Sequence, residues 1–128
     1  MKILALDFGA ARTGVAVSDP TGTLARPLCV VERAASDSGL EQLRELVARE
    51  EAERVVVGLP LTLRGEHGEQ ARATEQFVAA LRAVVEVPVE TIDERFTTVL
   101  AERDDGDAEP DARAAAHLLS GYLAWASR

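Results

Sequence analysis

The sequence predicts an α/β fold: a five-stranded mixed sheet, made of an antiparallel three-strand meander plus two parallel strands, flanked by helices. Three observations carry this. Apolar runs at 3–6, 15–17 and 24–31 follow one another with only turn-forming residues between them, as antiparallel neighbours do. Two more short strands, at 55–59 and 89–92, then alternate with stretches whose apolar residues recur at helical spacing. A final periodic stretch from Pro110 supplies one more helix. The 128 residues suffice for one domain with a proper core and not for two, so 1–128 is read as a single domain.

Ile3 to Leu6 is too short for an independent helix and reads as a buried strand. Asp7, Gly9 and Gly14 suit a tight return into Val15–Val17, with a carboxylate at the strand's end. Pro20-Thr21-Gly22 is the next turn, and Leu24–Val31 the third strand, where Pro27 indicates an edge or a bulge. Ser36 to Gly39 is a polar break. Leu40, Leu43, Leu46 and Val47 then mark an amphipathic helix whose charged residues form its solvated side.

Val55-Val56-Val57-Gly58-Leu59-Pro60 is apolar on both faces, as a helix-covered parallel strand should be. A polar loop, 62–69, holds Arg64 and His67. Ala71, Thr74, Phe77, Val78, Leu81 and Val85 line the next helix, and Val89–Ile92 is the fifth strand, ending in Asp93-Glu94-Arg95. Thr97 or Thr98 caps a short helix through Glu102. Asp104 to Glu109 is an acidic loop without an apolar anchor, expected to be mobile. Pro110 suits the first turn of the last helix, with Ala114, Ala115, Leu118, Leu119, Tyr122 and Leu123 on its buried face.

Composition removes several classes. No apolar run approaches the roughly 20 residues that span a bilayer, and Met1-Lys2 leads straight into a strand, so a cytoplasmic protein without membrane association is expected. One cysteine, Cys29, excludes an internal disulfide and a Cys-rich zinc site, and its apolar neighbours make it a small core residue. The net charge of −8 argues against non-specific coating of nucleic acid, which depends on Lys and Arg meeting phosphates. A nuclease whose metal ions meet the phosphate locally is compatible with that charge.

Three acidic residues stand out. An Asp directly after a buried strand is costly to desolvate unless a cation or hydrogen bonds meet it, so Asp7 is a candidate metal or catalytic carboxylate; the alternative is a turn cap. Glu94 leaves a buried strand where open α/β sheets place their ligand sites. Asp111, in the first turn of the last helix, shares a face with Ala115, Leu118 and Tyr122, which favours an inward side chain over a solvent-facing helix-dipole Asp. Brought together, three carboxylates repel and raise one another's pKa unless cations are present. Oxygen ligands without Cys suit Mg²⁺ or Mn²⁺, and two such ions can activate water and stabilise the leaving oxygen of a phosphodiester.

The segments LALDFGAARTGVAVSD (4–19), ARPL (25–28), VVVGLPL (55–61), DERFTT (93–98) and PDARAAAHLL (110–119) span nearly the whole chain. Together they make it resemble the YqgF-type (RuvX) family, described as Holliday-junction resolvases and as pre-16S ribosomal RNA nucleases, of the ribonuclease H-like fold. The resemblance implies an acidic metal site of Asp7, Glu94 and Asp111. It also implies Mg²⁺- or Mn²⁺-dependent cleavage of structured RNA or branched DNA, with a part in ribosomal RNA maturation. Arg12, Arg64 and Arg95 are candidates to contact substrate, and Gly58-Leu59-Pro60 with the Arg64 loop to line the cleft. Arg12 reads equally as a surface turn residue. His67, one histidine on a polar loop, reads as solvated and not as a general base. Asp93 competes with Glu94, and since neighbours in a strand face opposite ways only one of them enters the site.

The chain departs from that family where DDGDAEP (104–110) replaces a longer Lys/Arg-rich stretch, which weakens the expected grip on nucleic acid and makes Asp104, Asp105 and Asp107 competitors for the third position. Two other readings stay open. Asp7-Phe8-Gly9 through Gly14 also looks like the phosphate-binding hairpin of sugar kinases, actin and heat-shock ATPases, although those proteins need two such domains. A non-enzymatic module binding RNA or protein is the other, favoured by the negative charge. A symmetric branched substrate implies a homodimer, for which Leu119, Leu123 and Trp125 are a candidate patch, with core packing an equal alternative for the two leucines.

Overall fold

A computed structural model describes residues 1–60, 68–94 and 109–126. Its elements are β1 (Ile3–Asp7), β2 (Arg12–Ser18), β3 (Ala25–Glu32), α1 (Asp37–Arg49), β4 (Arg54–Leu59), α2 (Glu69–Arg82), β5 (Val89–Asp93) and α3 (Pro110–Ala126). The strands form one sheet in the order β3-β2-β1-β4-β5. The first three are antiparallel, whereas β4 runs parallel to β1 and β5 parallel to β4. This is the mixed sheet expected from the apolar runs. The short helix expected between Thr97 and Glu102 lies outside the described residues, as do Arg64, His67, Arg95 and Asp104 to Asp107.

Pro27 stands on an edge strand and beside an irregularity, both places where a residue without an N–H is tolerated. Val15 pairs with Cys29 and Ala16 with Pro27, so Leu28 is the extra residue of a bulge. Cys29 is half-buried against the core. Asp19 closes the β2–β3 turn by accepting from the N–H groups of Thr23 and Leu24 at 2.8 and 2.9 Å.

Several local boundaries differ from the sequence reading. Gly14 belongs to β2 and not to the preceding turn. The polar break at 36–39 is the start of α1: Ser36 is its N-cap, and its Oγ accepts from the Gly39 N–H at 3.0 Å. β4 begins at Arg54, one residue before the apolar run, and ends at Leu59 as read. Ala114 is exposed, and Ala112 and Ala116 take its place on the buried face of α3. Leu119 and Leu123 are core residues; of the supposed surface patch only Trp125 is exposed, at 58%.

The core has two layers because side chains alternate across the strands. Leu4, Leu6, Val15, Val17, Val55 and Val57 pack under α1 and α2, with Leu43, Phe77 and Leu81. Ile3, Ala5, Ala16 and Val56 pack on the other face under α3, with Ala115, Ala116, Leu119 and Tyr122. The second layer contains alanines on both sides, Ala5 and Ala16 on the strands facing Ala115 and Ala116 on the helix, so α3 lies close to the strands. Arg54 anchors the far end of α3, its Nη1 donating to the Tyr122 hydroxyl at 2.9 Å. No described helix is long and apolar enough to cross a membrane.

Candidate active site

Alternation along the strands also decides which polar groups face α3. Ile3 and Ala5 lie under that helix, so the next residue in the series, Asp7, presents its carboxylate on the same face at the carboxyl end of β1. β4 and β5 repeat the step: Val56 and Ile92 pack under α3, and Gly58 and Glu94 follow two residues later. The first turn of α3 brings Asp111 to the same end. Phe8, the residue after Asp7, turns to the opposite face and stacks on Phe77 of α2, ring centroids 4.4 Å apart, which holds the strand end in place.

Two glycines make room for this convergence. A Cβ on Gly14 would run into the Asp111 carbonyl and stand 3.0 Å from the Ala112 nitrogen, so only glycine lets the start of α3 lie on β2. A Cβ on Gly58 would lie 2.6 Å from Glu94 Oε1 and 2.8 Å from its Cγ, in the space Glu94 uses to cross β4.

Asp7 and Glu94 are hydrogen-bonded to each other, carboxyl to carboxylate, and so share a proton. Burial is the largest influence on both. It raises Asp7 above the ordinary carboxylate value, with the Asp111 charge adding to the rise. Burial, then the Asp7 charge, push Glu94 up to about 7. Of the two adjacent acids, Glu94 is therefore the one joined to Asp7, while Asp93 acts on it through its charge.

Asp111 is engaged elsewhere. Arg12 Nε donates to its Oδ2 at 2.8 Å, and Arg12 Nη2 donates to Glu109 Oε2 at 3.1 Å. Among the described residues no three His, Cys, Asp or Glu side chains stand together closely enough to hold a cation. The sequence-predicted acids thus form a joined pair, Asp7 and Glu94, with Asp111 near enough for its charge to reach Asp7. Oxygen-only ligands sharing one proton suit a hard divalent cation, which would replace that proton and offset the repulsion. Glu109 was not singled out as a partner of Arg12; the two are 97 residues apart, and no local pattern marks the pairing.

A mixed sheet in this order, with acids gathered where β1 and β5 end, is the ribonuclease H-like arrangement. Solved structures agree on the fold: RuvC from T. thermophilus, in complex with a Holliday junction substrate, superposes with a TM-score of 0.66 at 19% identity, covering 99% of this chain and 96% of that one. The fowlpox virus Holliday junction resolvase gives 0.57 at 12% identity, covering 98% and 99%. The chain belongs to the RuvX family of nucleases, described as Holliday junction resolvase, whose model matches residues 1–125. Relatives carrying the name "Putative pre-16S rRNA nuclease" include one from Chloroflexus aggregans, 50% identical over 79% of this chain and 71% of its own length. Another, from Sulfurihydrogenibium sp., is 45% identical over 95% and 89%.

Proposed function

We propose that residues 1–128 form one ribonuclease H-like nuclease domain that cleaves phosphodiester bonds of structured nucleic acid with the help of Mg²⁺ or Mn²⁺, in the 5′ maturation of pre-16S ribosomal RNA. The observation that carries this reading is the half-buried, hydrogen-bonded Asp7–Glu94 pair. A scaffold has no use for two partly desolvated carboxylates on one proton, whereas a hard cation does. Asp7, Glu94 and Asp111 are the proposed ligands. These residues would hold Mg²⁺ or Mn²⁺, which when bound would supply Lewis acidity toward a water and toward the leaving oxygen.

The chain's own residues do the rest. With a cation bound, the pair would lose its shared proton to solvent, and Asp7 and Glu94 would both serve as fixed oxygen donors. Gly58 keeps Glu94 in reach of Asp7. Arg12, at the rim, is placed to meet a phosphate, and a guanidinium suits one through paired hydrogen bonds. Arg64 and Arg95 are proposed as further phosphate contacts, and the cytoplasm as the place of action.

The curated relatives' name supports the ribosomal RNA precursor as substrate. The family description and the fold shared with a junction-bound resolvase support a second reading, cleavage of branched DNA by a homodimer. One assay separates them. Purified protein is given a pre-16S ribosomal RNA fragment or a four-way DNA junction, with Mg²⁺, Mn²⁺ or EDTA. The first reading expects cation-dependent trimming of the RNA and an intact junction; the converse pattern supports resolution, and the absence of cleavage in every arm contradicts both.

A further inference from the structure

Arg12 opens β2 at the mouth of the β1–β2 hairpin, opposite Glu32 of β3. Its guanidinium grips the start of α3 at two points, Asp111 Oδ2 at 2.8 Å and Glu109 Oε2 at 3.1 Å, the acids on either side of Pro110. The backbone at Asp111 is fixed by its contact with Gly14, which leaves the side chain as the part free to reorient. Asp7 and Glu94 are already joined, no three-acid cluster forms among the described residues, and Asp111, the proposed third ligand, is held by Arg12.

We infer that Arg12 is a positioning residue that competes with the divalent cation for Asp111, withholding the third carboxylate until the guanidinium lets go. This rests on the metal-dependent reading above. A guanidinium and a cation cannot both be close to one carboxylate oxygen without repulsion, so cation entry and release of Arg12 are one exchange. The ion pair is roughly half exposed at both partners, with side-chain exposures of 47% and 44%, so it is weak enough to be displaced. Ordinary surface pairs have only a structural role, and removing Arg12 would then loosen the site and weaken cation binding. The exchange predicts the opposite sign.

Two measurements test it. Mn²⁺ binding is followed by calorimetry for the wild type, Arg12→Ala and Arg33→Gln. Arg33 is the control for loss of an exposed positive charge near the hairpin, since its N–H bonds the Ala11 carbonyl at 2.9 Å. Arg12→Ala is expected to bind Mn²⁺ about two- to fivefold more tightly, the scale of an exposed ion pair, with Arg33→Gln unchanged. Unchanged or weaker binding by Arg12→Ala, or an equal gain in Arg33→Gln, overturns the competition. In the wild type, the Arg12 Nε–Hε resonance should lose its hydrogen-bonded shift as Mg²⁺ saturates; a signal that stays put overturns it even if the Ala variant does not fold. Failure of every protein to bind Mn²⁺ overturns the metal-dependent reading itself, and the competition with it.

Discussion

Glu94 shares a hydrogen bond with Asp7 across the end of β4, over the one residue there that has no side chain, Gly58. Adjacent strands are roughly 4.8 Å apart, so acids at the ends of β1 and β5 are separated by a full strand and meet only by reaching over it. Gly58→Ala puts a methyl carbon 2.6 Å from Glu94 Oε1 and 3.0 Å from Leu118 Cδ2, both ends of movable side chains. The expected outcome is a small loss of stability, about 1 kcal/mol, and a loss of cleavage of tenfold or more, roughly what a misplacement of about 1 Å costs. Thermal unfolding and single-turnover cleavage of the same preparation check it.

Gly14→Ala should behave differently, because the obstacle is the main chain of α3 at Asp111 and Ala112. Backbone cannot rotate away, so the helix must lift from β2. Urea denaturation is expected to show a loss of about 3 kcal/mol or more, several times that of the Gly58 variant.

The shared proton gives the cation-free protein a distinctive pH response. Glu94 has its folded-state pKa raised from 4.5 to about 7, and Asp7 is raised as well. Below the unfolded pKa both states carry the protons, and the pair's contribution is fully present. As pH rises toward about 7 the unfolded chain releases protons that the folded chain retains, so this contribution is progressively lost. Urea midpoints in EDTA should therefore fall between pH 5 and pH 8, and Glu94→Gln should flatten that fall. Added Mn²⁺ should raise the midpoint more at pH 8 than at pH 5, since binding releases the proton.

Phe77 is 1% exposed and stacked on Phe8, so Phe77→Ala should cost about 3–5 kcal/mol in chemical denaturation. Phe77→Leu retains most of the buried apolar volume and loses the stack. It should recover most of the stability but less of the cleavage rate, because Phe8 steadies the strand end that carries Asp7.

Much of this was legible in the residue pattern, and what was not has physical causes. The strands were readable because apolar runs between turn residues have few other folded uses, and Asp7 because an acid after a buried strand is expensive. Alternation from Ile92 to Glu94, together with the small residues Ala5, Ala16 and Gly58 on one face, held the information that separates Glu94 from Asp93. It emerges only once the strand is known to continue into residue 93. The start of α1 was hidden by Gly39, a poor helix former that the Ser36 cap makes acceptable. Ala114 was misassigned because alanine is nearly indifferent to which side of a helix it occupies. The Arg12–Asp111 pair spans 99 positions, and charges that meet over such a separation leave no local trace.

The central claim is that the Asp7–Glu94 pair is built to hold a catalytic cation. Its most direct test is cleavage by Asp7→Asn, which keeps the shape and the hydrogen-bonding capacity while removing the charge, measured in saturating Mg²⁺ beside the wild type. The account predicts an unchanged fold by circular dichroism and a rate reduced well beyond the ~10–100-fold cost of losing a supporting residue. Cleavage by Asp7→Asn at the wild-type rate would contradict it.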